Sequence, residues 1–206
     1  MNEEMIKIYD QDRNYIGTAS RSEVHKQGYW HETFQCWIIQ KENDLEYIFF
    51  QIRSDEKKDY PSLLDITAAG HILANETIED GVREIEEELG ISVSYEDLHV
   101  LGIIEDCIIT NEINDREFAH VFVYKINDSE PAFKLQKEEV SGMVRAEFND
   151  FHDFCLGKAG EIKVNGFAIN TSGKKVAFEK YVTKQDFVPH PDTYWSMVAE
   201  GIKRIF

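Results

Sequence analysis

Short runs of β-branched and aromatic residues recur along the chain between polar turns, at lengths that suit strands. Met5 to Tyr9, Thr33 to Ile39, Leu45 to Ile52, Leu98 to Ile104, Phe118 to Tyr124 and Met143 to Phe148 read as extended segments of a mixed sheet. Helical spacing is rarer. It covers Ile78 to Leu89, a stretch near Asn149 to Leu156, and the chain from about Pro191 onward, where Tyr194, Met197, Val198, Ile202 and Ile205 share a face. Strands outnumber helices in the first 150 residues, which predicts an α+β architecture rather than a doubly wound parallel sheet. Between Gly157 and Val182, short apolar runs around an "NTSG" turn signal predict a hairpin.

The first of these helices is chemically unusual. Thr77 suits an N-cap, Asp80 can reach back to it, and Gly90 suits the left-handed position after the last turn. Ile78, Val82, Ile85 and Leu89 form one stripe that must face the sheet. Glu84, Glu87 and Glu88 converge beside that stripe, whereas Glu79 and Glu86 point elsewhere. Like charges at this spacing cost a few tenths of a kcal/mol per pair, unless a cation lies against them. Mg²⁺ suits the site, being hard, oxygen-seeking and commonly shared between carboxylates and phosphates.

Composition narrows the partners. A formal charge of -17 leaves little positive surface for a nucleic-acid polymer, while small anions remain acceptable beside a bound cation. Cys36, Cys107 and Cys155 form no CxxC pair, which predicts reduced thiols in a cytoplasmic protein. No apolar run reaches the roughly 18 residues of a membrane span, so no membrane association is expected. The 206 residues suit a main domain over 1–150 and a C-terminal extension over 151–206 packed on the same core.

Gly70, Glu76, Arg83-Glu84-Ile85, Glu87-Glu88 and Gly90-Ile91 closely resemble the Nudix box, written GX5EX7REUXEEXGU with U aliphatic. Six residues separate Glu76 from Arg83 where the family has seven, which bears on the role of Glu76. From Arg83 to Ile91 the register is intact. Beyond the box, "EVHKQGYWHETFQCWII", "FFQIRSDEKKDYPSLLDITAAGH" and "LQKEEVSGM" resemble the Nudix branch related to isopentenyl-diphosphate isomerase.

The resemblance implies a mixed sheet sandwiched between helices, and hydrolysis of a diphosphate linked to another group with Mg²⁺, or alternatively Mn²⁺. By it Glu84, Glu87, Glu88 and the carbonyl of Ala69 ligate metal, and Arg83 orients a neighbouring glutamate. A further carboxylate must take the proton from the attacking water. Glu139 is the first choice, with Glu138 beside it and Glu117 as the alternative. Arg53 and Lys57, with Lys58 following, resemble the diphosphate-holding cations of the isomerases. His25, His31 and His71 stand where those enzymes hold a metal near substrate, and Asp115 with Glu117 resembles their acidic pair. The cysteine that isomerases use for proton transfer is replaced by Ala69, and the box glutamates are all retained. Hydrolysis of a small diphosphate compound is therefore the leading expectation, ahead of isomerase-like chemistry or a Nudix-like binding protein without turnover. Dimerisation stays open, and Phe187, Tyr194 and Trp195 are left with three readings: a cap on the cleft, a dimer contact, or completion of the core.

Overall fold

The computed structural model describes residues 3–111, 113–126 and 132–206. The strands are β1 (Met5–Tyr9), β2 (Tyr15–Ser20), β3 (Trp30–Glu42), β4 (Leu45–Arg53), β5 (Leu64–Asp65), β6 (Ala68–His71), β7 (His99–Ile109), β8 (Asn114–Ile126), β9 (Val140–Glu147), β10 (Ile162–Ile169) and β11 (Lys175–Val182). The helices are α1 (Arg21–Gln27), α2 (Arg83–Leu89), α3 (Phe148–Cys155) and α4 (Asp192–Lys203). All the strands join one sheet. Its main path runs β11-β10-β9-β4-β3-β1-β2, while β8 pairs parallel to β3 and carries β7 on its far side.

The central strand explains the layering. From Phe34 to Gln40 every residue of β3 is buried, as a strand covered on both faces requires. Phe34, Cys36 and Ile38 pack with Ile85 and Leu89 of α2, whereas Trp37 and Ile39 pack with Phe151 of α3 and Val198 of α4. Alternate side chains thus feed two helical layers, giving the expected α+β sandwich.

The predicted helix over 78–89 divides in two. Glu79–Val82 is 3₁₀, and α2 proper begins at Arg83. A 3₁₀ turn takes about 3.0 residues instead of about 3.6, so the approach to α2 is wound more tightly than an α-helix. Asp80 does reach back: its Oδ2 accepts from the Thr77 N–H at 2.8 Å and from Thr77 Oγ1 at 2.9 Å. Gly90 ends α2 at φ +70°, with its N–H on Glu86 O at 2.8 Å.

The hairpin between Gly157 and Val182 is β10–β11, and β10 extends the main sheet through β9. Phe187, Tyr194 and Trp195 belong to the core beneath α3 and α4. Met197 does not share the buried face of α4 and is 54% exposed. Tyr194, Val198 and Ile202 fix the centre of that face, and Trp195 and Ala199 fill the flank opposite to Met197. Ile205 lies beyond the helix and packs on the core only in part.

Candidate active site

One open polar cleft of about 580 Å³ gathers side chains from α1, α2, β3, β5, β6, β7, β8 and the loops after β4 and before β9. Arg83 organises its acidic wall. Its Nε and Nη2 donate to Glu76 at 2.8 and 3.1 Å, and its Nη1 donates to Glu84 at 2.6 Å and Glu87 at 3.0 Å. A fourth partner, the His71 carbonyl, accepts from Nη2 at 3.2 Å. Glu76 also accepts from the Leu73 N–H at 2.9 Å, so the short gap has not displaced it from the arginine.

Glu84 and Glu88 are largely withdrawn from water, while Glu87 stands at the rim. Burial raises the Glu84 carboxyl to about 7, with Arg83 opposing the shift and Glu87 adding to it. Glu88 is pushed well above the usual range by burial and then by Glu84. Its Oε2 accepts from Gln51 at 3.4 Å and from the Ala69 N–H at 3.3 Å. Two carboxyls that resist ionisation together form a site that a hard cation would relieve.

A second cluster lies beside the first. His25 comes from α1, His31 from β3, His71 from β6, and Asp115 and Glu117 from β8. His25, His31 and His71 present ligand atoms within 4.8 Å of one another, as do His31, Asp115 and Glu117. His31 and Glu117 are partners in the parallel β3–β8 register. His31 Nδ1 bonds the Tyr29 carbonyl at 3.1 Å, which assigns the proton to Nδ1 and leaves Nε2 as a bare lone pair, buried and, among the described residues, without a hydrogen-bond partner. Burial holds His31 below its ordinary range, and burial together with the other histidines holds His71 well below it. Neutral imidazoles beside carboxylates make a donor set suited to a divalent transition metal or Mg²⁺.

The basic residues divide by partner. Arg53 lines the cleft, but Nη1 binds Asp65 at 2.7 Å while Nε and Nη2 bind the carbonyls of Tyr60 at 3.1 Å and Asp59 at 2.9 Å. Its fork therefore shapes the loop that carries Lys57 and Lys58. Lys57 forms an ion pair with Glu139, and both line the cleft together with Lys58. Glu138 is exposed and lies off the cleft. Glu117 faces the cleft floor, where its Oε2 accepts from Thr33 at 2.8 Å and Gln35 at 2.9 Å. Burial, Asp115 and Asp106 raise it well above the usual carboxylate range.

The floor itself contains residues that sequence reading did not single out. His190, just before α4, bonds Asp106 at 2.7 Å and Asp65 at 3.0 Å. Burial alone would lower the imidazole, but the charge of Asp106 and bonds to both carboxylates raise it to about 10. Tyr194 donates to Gln35 Oε1 at 2.6 Å beneath the same floor. Tyr60, Asp106, Asn114 and Asp115 line the cleft, and each has a buried polar atom with no partner among the described residues. Such a concentration of unmet polar groups suits a polar ligand.

The chain is similar to several known proteins. The family model for the NUDIX domain matches residues 29–163. An uncharacterized Nudix hydrolase of Clostridium acetobutylicum is 38% identical over 202 residues, covering 98% of each chain. Isopentenyl-diphosphate Delta-isomerase 2 of Photorhabdus laumondii is 27% identical over 68% of this chain and 75% of its own. Among solved structures, a Deinococcus radiodurans protein superposes with a TM-score of 0.54 at 17% identity, covering 77% of this chain and 91% of that one. That last likeness is one of fold.

Proposed function

The chain belongs to the Nudix family, and on that premise we propose that it is a cytoplasmic, Mg²⁺-dependent hydrolase that cuts the diphosphate linkage of a small compound. The observation that carries this reading is the arginine fan: Arg83 holds Glu76, Glu84 and Glu87 in one array on the cleft wall. Glu84, Glu87, Glu88 and the Ala69 carbonyl would hold the metal, whose fit rests on the two buried carboxyls that repel each other without it. When bound, Mg²⁺, or Mn²⁺ in its place, shields phosphate charge and acidifies water. We treat residues 1–150 as the catalytic domain and 151–206 as its extension, with dimerisation left open.

The chain's own residues supply positioning and proton transfer. Lys57 and Lys58 attract the diphosphate as point charges, and Arg53 acts by shaping their loop. Lys57 is paired with Glu139 in the free protein. A phosphate that competes for Lys57 would release Glu139 beside the attacking water, where it can accept the proton as general base. Glu117 is the alternative base. His25, His31 and His71 meet the substrate side of the cleft with Asp115 and could hold a second divalent ion.

That histidine cluster is the one observation favouring isomerase-like chemistry. Against it stands Ala69, which has no proton to donate or accept. The deciding experiment is phosphate release from a panel of nucleoside diphosphate derivatives, prenyl diphosphates and other pyrophosphates, with and without Mg²⁺. Metal-dependent release from at least one compound, lost by orders of magnitude in both Glu87→Gln and Glu88→Gln, is the expected result. Unchanged turnover in both variants under metal-buffered conditions would sink the assignment.

A further inference from the structure

The cleft floor ends in a carboxylate that the described chain leaves incomplete. Asp106 lines the cleft with Ile108, two residues further along the same face of β7. Its Oδ2 accepts from His190 Nδ1 at 2.7 Å and from Gln35 Nε2 at 3.5 Å. Its Oδ1 is buried and, among the described residues, has no donor. Leaving such an atom unpaired costs about 1–3 kcal/mol, and more for a charged group.

The side chain has little freedom to correct this by turning. His190 is tied on its other nitrogen to Asp65 at 3.0 Å, and Asp65 is tied to Arg53 at 2.7 Å. His190 and Asp106 are 6% and 2% exposed. No described residue supplies that donor, and Asp106 lines the cleft, so a cleft ligand is the candidate source.

Charge decides which part of a ligand that is. Asp106, Asp115 and Glu117 lie together on β7 and β8, and Asp106 and Glu117 are direct register partners. Phosphate oxygens are attracted to Lys57, Lys58 and a cation held on α2. The organic group of the substrate is left for the Asp106 end. A carboxylate oxygen accepts a hydrogen from a hydroxyl or amino group, and gains nothing from hydrocarbon.

We propose that Asp106, fixed by His190, is a substrate-recognising acceptor that selects diphosphate compounds whose organic group carries a hydrogen-bond donor, a hydroxyl in the simplest case. The diphosphate half of this statement rests on the hydrolase reading, so binding and turnover are to be measured separately.

A matched pair of probes isolates the hydroxyl: dimethylallyl diphosphate and its 4-hydroxy derivative share one carbon skeleton. Calorimetric binding of each to the full chain, with Ca²⁺ replacing Mg²⁺ to slow turnover, gives an affinity ratio. A hydrogen bond to a charged acceptor predicts roughly 10- to 100-fold tighter binding of the hydroxylated probe. Asp106→Asn keeps the shape without the charge and should reduce the ratio to a few-fold, and His190→Gln should reduce it in part. Equal affinities in the wild type, or binding of neither probe, overturns the proposal, as does a preference that survives intact in a folded Asp106→Asn. The wild-type pair decides alone if that variant does not fold. A clear preference, with no phosphate released in Mg²⁺ from any compound of the panel, leaves this inference standing and removes the hydrolase reading; release from the panel with no preference between the two probes does the reverse.

Discussion

A Cβ placed on Gly70 would lie 2.1 Å from the carboxyl carbon of Glu84, so the glutamate occupies the volume that any other residue at position 70 would need. The box glycine is here a space for a carboxylate and not a turn. Gly70→Ala should push Glu84 away from Arg83 and out of the array while leaving the sheet intact. The expected outcome is a loss of at least about 100-fold in turnover, as in the removal of a group that stabilises the transition state, with an unchanged circular dichroism spectrum. Normal turnover would show that Glu84 works from more than one position.

Glu84 also gives the metal-free protein a pH dependence. Folded, it keeps its proton up to about pH 7; unfolded, it releases it near its ordinary value of 4.5. Folding therefore takes up a proton across that window, and stability falls as pH rises through it, by roughly 3 kcal/mol from this group. Melting in chelator should be lower at pH 8 than at pH 5. Glu84→Gln should flatten the slope, and added Mg²⁺ should raise the wild-type melting temperature most at the higher pH.

Glu139 and Glu117 separate in a metal titration. If Glu139 is the base, Glu139→Gln should lower kcat about 10²- to 10⁴-fold at any metal concentration, with KM nearly unchanged. If Glu117 is instead a ligand, Glu117→Gln should weaken metal binding and be partly rescued by added Mg²⁺. Wild-type behaviour of Glu139→Gln, with turnover lost in Glu117→Gln at saturating metal, would transfer the base to Glu117.

Ala69 tests the isomerase alternative. Isopentenyl diphosphate incubated with the protein and Mg²⁺ should yield no dimethylallyl diphosphate, because a methyl group cannot exchange a proton. Product at enzymatic rates would reverse the ranking. Isomer formed only by Ala69→Cys would show that the histidine cluster already suits that reaction and lacks a single group.

The box was legible because its chemistry lies in one contiguous stretch. Arg83 to Gly90 states the cluster, the buried stripe and the stop within a few turns. The histidines were legible only through family likeness, since β3, β6 and α1 meet at the cleft by sheet pairing that local spacing does not encode. His190 was hidden for the same reason: its partners Asp106 and Asp65 are 84 and 125 residues away. β2 and α1 escaped because they bury so little: Tyr15–Ser20 has no fully buried residue, and α1 buries Val24 alone. The 3₁₀ turn before α2 was read as α-helix because the four-residue spacing of Ile78 and Val82 is that of an α-helix, and a single 3₁₀ turn is too short to show a pattern of its own.

The pairing of His31 with Glu117 has a consequence for how this cleft can change. Position along a sheet is counted in whole residues, and a slip of one sends Glu117 to the opposite face. The cluster is thus keyed like a lock, either seated or absent, with no gradual loosening between. Loops at the cleft mouth can lengthen, shorten or change their chemistry without moving His31, His71, Asp115 or Glu117, because the strands that carry them hold the count. A new substrate can be reached by rewriting the rim, while the centre is inherited whole.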